Sequence, residues 1–195
     1  MSVSFTKSGI VTVSGIEVGE NLITNSSGYN GINAWSISKN NSLSVVDEHD
    51  MMCFKLTSTS SDSNRIYIYQ SLNSKLDITN LKTYTISFYY KAESSNNISG
   101  VGAFVRIANS SSMYNDRINS TSSLILDNNW HFKTLSGDLS SFNGTNVDNV
   151  TFFLFAYKAS VLYAMVKLEE GSIPTPWIPN ANDYGVVPTS HGFAE

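Results

Sequence analysis

The sequence predicts an all-β protein, a two-sheet antiparallel β-sandwich of the jelly-roll type. Many short segments alternate apolar and polar residues and are separated by turn residues, which is typical of sandwiches. No segment has the apolar spacing of a long amphipathic helix. All four prolines lie beyond residue 173, so the strands predicted for the sandwich are free of proline.

The stretch 81–92 carries the clearest strand pattern in the chain. Its residues alternate between two sides, and one side is apolar enough to face a core: Tyr84, Ile86, Phe88 and Tyr90. The other side mixes hydroxyls, an aromatic ring and a cation: Thr85, Ser87, Tyr89 and Lys91. We therefore expect a central strand with one buried side and one wet side that suits a polar ligand.

Three regions are predicted along the chain. Residues 1–19 form a β extension with short apolar runs broken by two Ser-Gly pairs. This extension is either an edge hairpin of the sandwich or an attachment strand to an upstream partner. Residues 20–179 form the jelly-roll domain, and residues 180–195 form an extended tail, with Trp177 anchoring the approach to it on the body.

Further strands follow the same alternation. They are expected at 43–46, 52–56, 65–70, 101–107, 124–126, 130–133, 150–157 and 161–168. The Ser- and Asn-rich stretch 108–123 is predicted to be a long loop at one rim, and the acidic stretch 47–50 a solvated hairpin turn, since its spacing matches no metal site. Trp35 is either a core residue near a strand start or a ligand platform, and burial is the favoured role.

Composition excludes several functional classes. The net charge is −4 with no basic run, which argues against nucleic-acid binding. A single cysteine excludes an internal disulfide, and the absence of a run of about 18 apolar residues argues against a membrane-spanning helix. Only 14% of residues are charged while Ser, Asn and Thr are plentiful, as in many extracellular and virion β-proteins. The N-terminus lacks signal-peptide features, so a protein that works outside the cell is expected to leave by another route, for example within a virus particle released by lysis.

No motif indicates catalysis. His49, His131 and His191 lie in neither a nucleophile-elbow nor a metalloprotease context. Glycoside hydrolysis needs two carboxylates that face one cleft, whereas adjacent residues such as Glu169 and Glu170 point to opposite sides of a strand. We therefore expect a protein that is not an enzyme.

Saccharide binding needs aromatic rings for the apolar sugar faces and polar groups for the hydroxyl rim. The candidate ligand-binding residues are Tyr67, Tyr69, Gln70, Tyr89, Arg106, Trp130 and Tyr157, with Arg65 pointing outward beside them. The tyrosines are alternatively sheet formers with solvated hydroxyls, and Trp130 a rim residue or a core plug. Which of these residues share one face depends on which strands share a sheet, and the sequence leaves that open.

Four segments of the chain form an ordered set of motifs. The closing segment 167–180 reads KLEEGSIPTPWIPN, and the opening segment 20–26 reads ENLITNS with Trp35 after a loop. The central segment 84–91 reads YTISFYYK, and 129–132 reads NWHF. Together these motifs, which cover roughly residues 20–180, resemble carbohydrate-binding-module-like jelly rolls in tail and accessory baseplate proteins of lactococcal and streptococcal phages.

The resemblance implies a module that binds host cell-wall saccharide from a virion, alongside other phage tail or baseplate proteins. The alternative is a purely structural decoration domain with no ligand of its own. No cofactor is expected, and a structural calcium ion is kept only as the minor alternative. Relatives hold one with acidic residues after the first asparagine motif and in the last strand. Here those stretches read Ser26-Ser27-Gly28 and Tyr163-Ala164-Met165, which leaves Glu20, Glu169 and backbone carbonyls as the remaining oxygen ligands.

Overall fold

The computed structural model describes residues 3–5, 11–13, 16–39, 42–59, 64–93, 100–109, 114–119, 124–180 and 183. Within these ranges the chain forms thirteen β-strands and one 3₁₀ turn at Ser140–Phe142. The all-β prediction is confirmed. Most of the predicted tail 180–195 and both Ser-Gly turns of the N-terminal extension lie outside the described residues.

The N-terminal extension forms a small sheet of its own. Strands β1 (Val3–Phe5), β2 (Val11–Val13) and β3 (Ile16–Val18) pair as an antiparallel meander in the order β1-β2-β3. In the described residues these strands pair with one another rather than extending either sheet of the sandwich. In the described residues the extension therefore adds no edge hairpin to either sheet of the sandwich.

The sandwich consists of two five-stranded antiparallel sheets. Sheet I has the order β10-β9-β12-β7-β4, and sheet II has the order β11-β8-β13-β6-β5. The strands of sheet I are β4 (Ser36–Ile37), β7 (Ile66–Ser71), β9 (Gly100–Asn109), β10 (Tyr114–Arg117) and β12 (Val147–Tyr157). The strands of sheet II are β5 (Leu43–Glu48), β6 (Met51–Thr57), β8 (Thr83–Glu93), β11 (His131–Asp138) and β13 (Ser160–Glu170).

The core lies between the two sheets, on the sides that the alternation predicts. The four apolar residues of β8 are all buried, with Tyr84 4% and Tyr90 2% exposed. Opposite them, β9 and β12 bury Val101, Ala103, Val105, Ile107, Phe152, Leu154 and Ala156. Trp35 is a core residue whose ring packs 5.1 Å from Phe54 and 6.1 Å from Phe152.

Two strand predictions are wrong. The stretch 108–123, expected to be a loop, contains strand β10, which pairs with β9 in sheet I. Asp116 on β10 lies opposite Arg106, and this charge pair stabilises a strand that has few apolar residues. Residues 124–126, expected to be a strand, have no strand partner, although Leu124 and Leu126 pack against the core.

Tyr163 of β13 ties the two sheets together through its hydroxyl. The ring is fully buried, and the hydroxyl accepts from Gly102 N at 2.7 Å and lies 3.0 Å from Gly102 O and 2.7 Å from Phe155 O. Burial raises the pKa of this phenol, so it stays a hydrogen-bond donor. The hydroxyl therefore satisfies backbone groups in the middle of sheet I.

Replacing Tyr163 by phenylalanine is expected to lower the free energy of unfolding by about 1–3 kcal/mol, because buried backbone groups lose their partner. Urea unfolding followed by fluorescence measures this change. A Tyr84→Phe variant serves as the control, since Tyr84 is another core tyrosine of sheet II. Equal stability of the Tyr163→Phe variant and the wild type would contradict the role assigned to the hydroxyl.

The segment 171–180 crosses one half of the outer side of sheet II. Thr85 donates to Gly171 O at 2.7 Å, and Ser136 donates to Ser172 O at 2.9 Å. Trp177 donates its indole N–H to Val166 O at 3.3 Å. Thr85 and Ser87, expected on a wet side, are therefore buried beneath this strap.

Thr175 is the node where the strap, the last strand and the N-terminal extension meet. Its hydroxyl donates to Glu169 Oε2 at 2.5 Å and accepts from Gly19 N at 2.9 Å and from Lys167 Nζ at 2.6 Å. Lys167 and Glu169 are themselves buried, with Nζ and Oε2 3.0 Å apart. The strap is thus held by a buried ion pair as well as by backbone contacts.

Cys53 is a buried, unreactive thiol. Its side chain is fully buried on β6, and burial raises the pKa to about 12. Because the thiolate is the reactive form, we expect iodoacetamide to modify Cys53 only after the protein unfolds. Mass spectrometry of native and urea-unfolded protein measures the labelling, and rapid labelling of the native protein would contradict the burial.

Candidate functional site

The outer side of sheet I carries a continuous cluster of aromatic rings, here called the aromatic face. Its members come from three adjacent strands, β7, β12 and β9, and are Tyr67, Tyr69, Phe104, Phe153 and Phe155. Alternation places them together, because the residues between them on each strand face the core. The register sets Phe153 between Tyr69 and Phe104, so the three rings form one row across the sheet.

The rings pack against one another in the geometries that aromatic pairs prefer. Phe104 and Phe153 stack with centroids 4.7 Å apart and planes 9° apart, and Tyr69 stacks on Phe153 at 5.3 Å and 28°. Tyr67 meets Phe104 and Phe153 edge-on, at 6.0 Å and 5.5 Å. Each ring is therefore held in place by its neighbours.

Two arginines lie over this cluster. The guanidinium carbon of Arg65 is 4.6 Å from the Phe155 ring centroid, and that of Arg106 is 5.1 Å from Phe153 and 5.3 Å from Phe104. Arg106 also makes a bidentate pair with Asp116, with Nε 2.6 Å from Oδ1 and Nη2 3.1 Å from Oδ2. The pair fixes the guanidinium plane above the rings.

The aromatic face has a layer of buried rings and a layer of partly accessible rings. Phe104 and Phe155 are fully buried although they lie on the outer side of the sheet. Tyr67, Tyr69 and Phe153 are half-buried, as are both arginines. The two buried rings therefore restrict the motion of the rings packed on them. Parts of Tyr67, Tyr69 and Phe153 remain accessible to a ligand.

The chemistry of the aromatic face suits a polar ligand with apolar patches. Ring faces take the C–H side of a pyranose, while guanidinium groups and phenol hydroxyls take its hydroxyls. Tyr67 and Tyr69 stand two residues apart on one strand, a spacing of about 7 Å, which lets both contact one extended saccharide.

Of the predicted ligand residues, Tyr67, Tyr69 and Arg106 are brought together on the aromatic face. Tyr157 lies on the same side of β12 at the end of the strand, with Lys158 Nζ 5.3 Å from its ring centroid. Arg65 also joins the cluster. The role of these residues in saccharide binding stays a prediction.

Gln70 does not share this face. It is 5% exposed, its Nε2 donates to Thr24 O at 2.6 Å, and its Oε1 accepts from Thr24 N and from Lys75 Nζ. Gln70 lies on the same side of β7 as Ile66 and Ile68. Its side chain therefore points inward and holds the segment around Thr24. The prediction that Gln70 faces outward is wrong.

Tyr89 and Trp130 belong to the other sheet. Tyr89 lies on the outer side of β8 in sheet II, where its ring is 5.0 Å from Phe132. Trp130 immediately precedes β11 in the same sheet and is half-buried. Tyr89 cannot complete a site with Tyr67 and Arg106, because the whole thickness of the sandwich separates the two outer surfaces.

The phenylalanines of the aromatic face were missed as site residues. Alternation alone places Phe153 and Phe155 on the outer side of β12, and outward phenylalanines in a predicted strand are the available signal. Phe104 likewise alternates with core residues on β9.

Glu20 and Glu169 are the acidic side chains that the sequence leaves as calcium ligands. Glu169 is engaged by Lys167 and Thr175, and Glu20 is exposed. In the described ranges no group of three or more His, Cys, Asp or Glu side chains lies close enough to hold a metal ion. The described residues also contain no helix of the length and apolarity that a membrane crossing requires.

No protein-family model matches the chain, and no curated protein matches it in sequence. Solved structures do match in fold. The CBM22-1 xylan-binding domain of Paenibacillus barcinonensis Xyn10C is 13% identical with a TM-score of 0.61, over 80% of this chain and 97% of that one. A family 16 carbohydrate-binding module is 19% identical with a TM-score of 0.53, over 77% of this chain and 100% of that one.

A phage protein is also among the structural matches. Tailspike protein 4 of bacteriophage CBA120, in its enzymatically active domain, is 13% identical with a TM-score of 0.57. The match covers 77% of this chain and 21% of the tailspike chain, so the two share one domain-sized part. Because the sequence identities are low, these matches show the fold alone. That fold is a jelly-roll sandwich of the carbohydrate-binding-module type.

Proposed function

We propose that this chain is a non-catalytic saccharide-binding module and that the aromatic face is its binding site. The observation that carries the proposal is the pre-packed cluster of five rings under two arginines on one outer side of the sandwich. Rings already held in place lose little freedom when a ligand stacks on them. The xylan-binding function of one structural neighbour supports the same class of ligand.

The absence of catalysis is part of the proposal. Asp116, a carboxylate beside the aromatic face, is engaged on both oxygens by Arg106. Hydrolysis of a glycosidic bond needs one carboxylic acid and one carboxylate on either side of that bond. With both oxygens bound by Arg106, Asp116 is not positioned to donate a proton to a glycosidic oxygen.

We further propose that the module serves on a bacteriophage tail or baseplate and aids adhesion to host cell-wall polysaccharide. The four ordered motifs of the sequence and the shared fold of a phage tailspike segment support this setting. A shallow site of this kind binds weakly, and display of many copies raises avidity by about 10²–10⁴-fold without new contacts.

The test uses the full chain fused to a trimerising or larger scaffold. We expect the multivalent fusion to bind cell-wall polysaccharide from lactococci or streptococci in a pull-down, and a soluble polysaccharide fraction to compete. No binding to any wall preparation would favour the structural decoration role, with the separate N-terminal sheet as the docking element. Release of reducing sugar by the purified chain would contradict the non-catalytic assignment.

A further inference from the structure

Among the described residues, the strap 171–180 covers only half of the outer side of sheet II. The strap 171–180 crosses the half that contains Thr85 and Lys167, and the other half carries a cavity of about 310 Å³. Its lining includes Glu48, Lys55, Lys91, Asn128, Ser160 and Leu162. A cavity of this volume accommodates a small polar ligand such as one sugar unit with a charged substituent.

An ion pair reaches across this cavity. Lys91 stands on β8 and Glu48 on β5, and strands β13 and β6 lie between them in the sheet. Even so, Lys91 Nζ donates to Glu48 Oε1 at 2.5 Å, and both side chains are about one quarter exposed. The hydrogen bond from Lys91 lowers the pKa of Glu48, so the pair is ionised at neutral pH.

The register places a second lysine beside the first. Leu162 of β13 pairs with Lys91 on one side and with Lys55 on the other, so the two lysines flank one leucine. Among the described residues, the charged part of the lining consists of two cations, Lys55 and Lys91, and one anion, Glu48.

A pair of aromatic rings adjoins the charged cavity. Tyr89 precedes Lys91 by two residues on the same side of β8, a spacing of about 7 Å. Its ring lies 5.0 Å from that of Phe132, which is 52% exposed. An exposed phenylalanine on a strand otherwise rich in polar outward residues offers a stacking surface next to the lysines.

We propose that this half of sheet II is a second binding site, specific for an anionic saccharide. The carboxylate or phosphate of the ligand binds between Lys91 and Lys55, and a sugar ring of the ligand stacks on the Tyr89–Phe132 pair. This site goes beyond the saccharide binding proposed for the aromatic face, since it lies on the opposite sheet and selects for charge.

Glu48 has a defined part in this site. Its carboxylate occupies the position beside Lys91 that the anionic group of the ligand would take. Glu48 therefore competes with the ligand for Lys91. Asn128 and Ser160 line the same cavity and can bond to sugar hydroxyls. The site therefore discriminates against neutral sugars, which cannot replace a carboxylate on a lysine.

The test is a titration of isotope-labelled full-length protein at low ionic strength, followed by NMR. Three probes are compared: trigalacturonate, neutral galactotriose and a glycerol phosphate oligomer. We expect at least one anionic probe to shift the resonances of Lys55, Lys91 and Phe132, and galactotriose to leave them unchanged. Response to trigalacturonate identifies a sugar carboxylate as the ligand group, and response to glycerol phosphate identifies a phosphate polymer.

Four variants decide the outcome. Lys91→Met is expected to weaken anion binding at least about tenfold, because a charge-assisted hydrogen bond is lost. Glu48→Gln, which removes the competitor and keeps the shape, is expected to strengthen it. Lys82→Met removes a lysine from another exposed ion pair, with Glu170 at 2.8 Å, and is expected to change nothing. The double variant Tyr67→Ala and Tyr69→Ala is expected to keep full anion binding.

Three results would overturn this second site. One is the absence of shifts at Lys55 and Lys91 with both anionic probes in the wild type and in Glu48→Gln. Another is an equal loss in Lys91→Met and Lys82→Met, which indicates non-specific attraction. The third is loss of anion binding in the Tyr67 and Tyr69 variant, which places the anion on the aromatic face. None of these results bears on neutral saccharide binding at the aromatic face, so the two proposals fail separately.

Discussion

Replacing Lys167 by methionine is expected to lower the free energy of unfolding by about 3–5 kcal/mol, because a buried carboxylate then loses its cation. In the native protein Lys167 Nζ lies 3.0 Å from Glu169 Oε2 and donates to Thr175 Oγ1 and Pro176 O. Both charged side chains are essentially inaccessible to water. Chemical denaturation followed by tryptophan fluorescence measures the loss.

Two further variants test this explanation. Lys82→Met breaks the exposed pair with Glu170 and is expected to cost no more than about 1 kcal/mol. The double variant Lys167→Met and Glu169→Gln is expected to recover part of the loss, since the uncompensated charge is gone. A Lys167→Met protein as stable as Lys82→Met would show that the strap does not depend on the buried pair.

Replacing Tyr67 and Tyr69 together by alanine is expected to weaken binding of a neutral saccharide at least about tenfold, equivalent to about 1.4 kcal/mol. Both rings provide accessible stacking surface, and their removal leaves Phe153 without its neighbours on β7. The companion variant Tyr67→Phe and Tyr69→Phe keeps the rings and is expected to retain most of the affinity. Titration calorimetry of the multivalent fusion measures the difference.

Tyr89→Ala is the matched control for this experiment. Tyr89 is a half-buried tyrosine on an outer strand side, paired with one aromatic ring, but it lies on sheet II. It is expected to leave neutral saccharide binding unchanged. Equal losses in Tyr89→Ala and in the double alanine variant, with all proteins folded by circular dichroism, would contradict a site confined to the aromatic face.

Local alternation predicted which side of each strand faces the core. Tyr84, Ile86 and Phe88 point inward because a strand repeats every two residues and these are its apolar positions. The burial of Thr85 and Ser87 could not be predicted in the same way. It depends on the path of the strap 171–180, which is set by contacts between residues far apart in sequence.

Strand β10 shows a second limit of the local pattern. Its residues are polar, and its pairing with β9 includes the contact between Asp116 and Arg106, ten residues apart in the sequence. Apolar periodicity carries no signal for such a strand. Conversely, Leu124 and Leu126 are apolar enough to suggest a strand, yet they contribute to the core without forming one.

The candidate site could be predicted only in part, because sheet membership is a long-range property. Alternation placed Tyr67, Tyr69 and Arg106 on outer sides of their strands, and the structure adds that β7, β12 and β9 are neighbours. The same reasoning could not separate Tyr89 from them. For Gln70 the local pattern, in step with Ile66 and Ile68, already indicated the inward side that the structure shows.

The central claim is that saccharide binds on the aromatic face, and mapping by NMR with a saccharide that the multivalent fusion retains tests it most directly. We predict that the ring resonances of Tyr67, Tyr69 and Phe153 shift in a saturable way, while those of core rings such as Phe88 do not. Saturable shifts that leave all three of these rings unchanged and fall elsewhere on the molecule would contradict the claim.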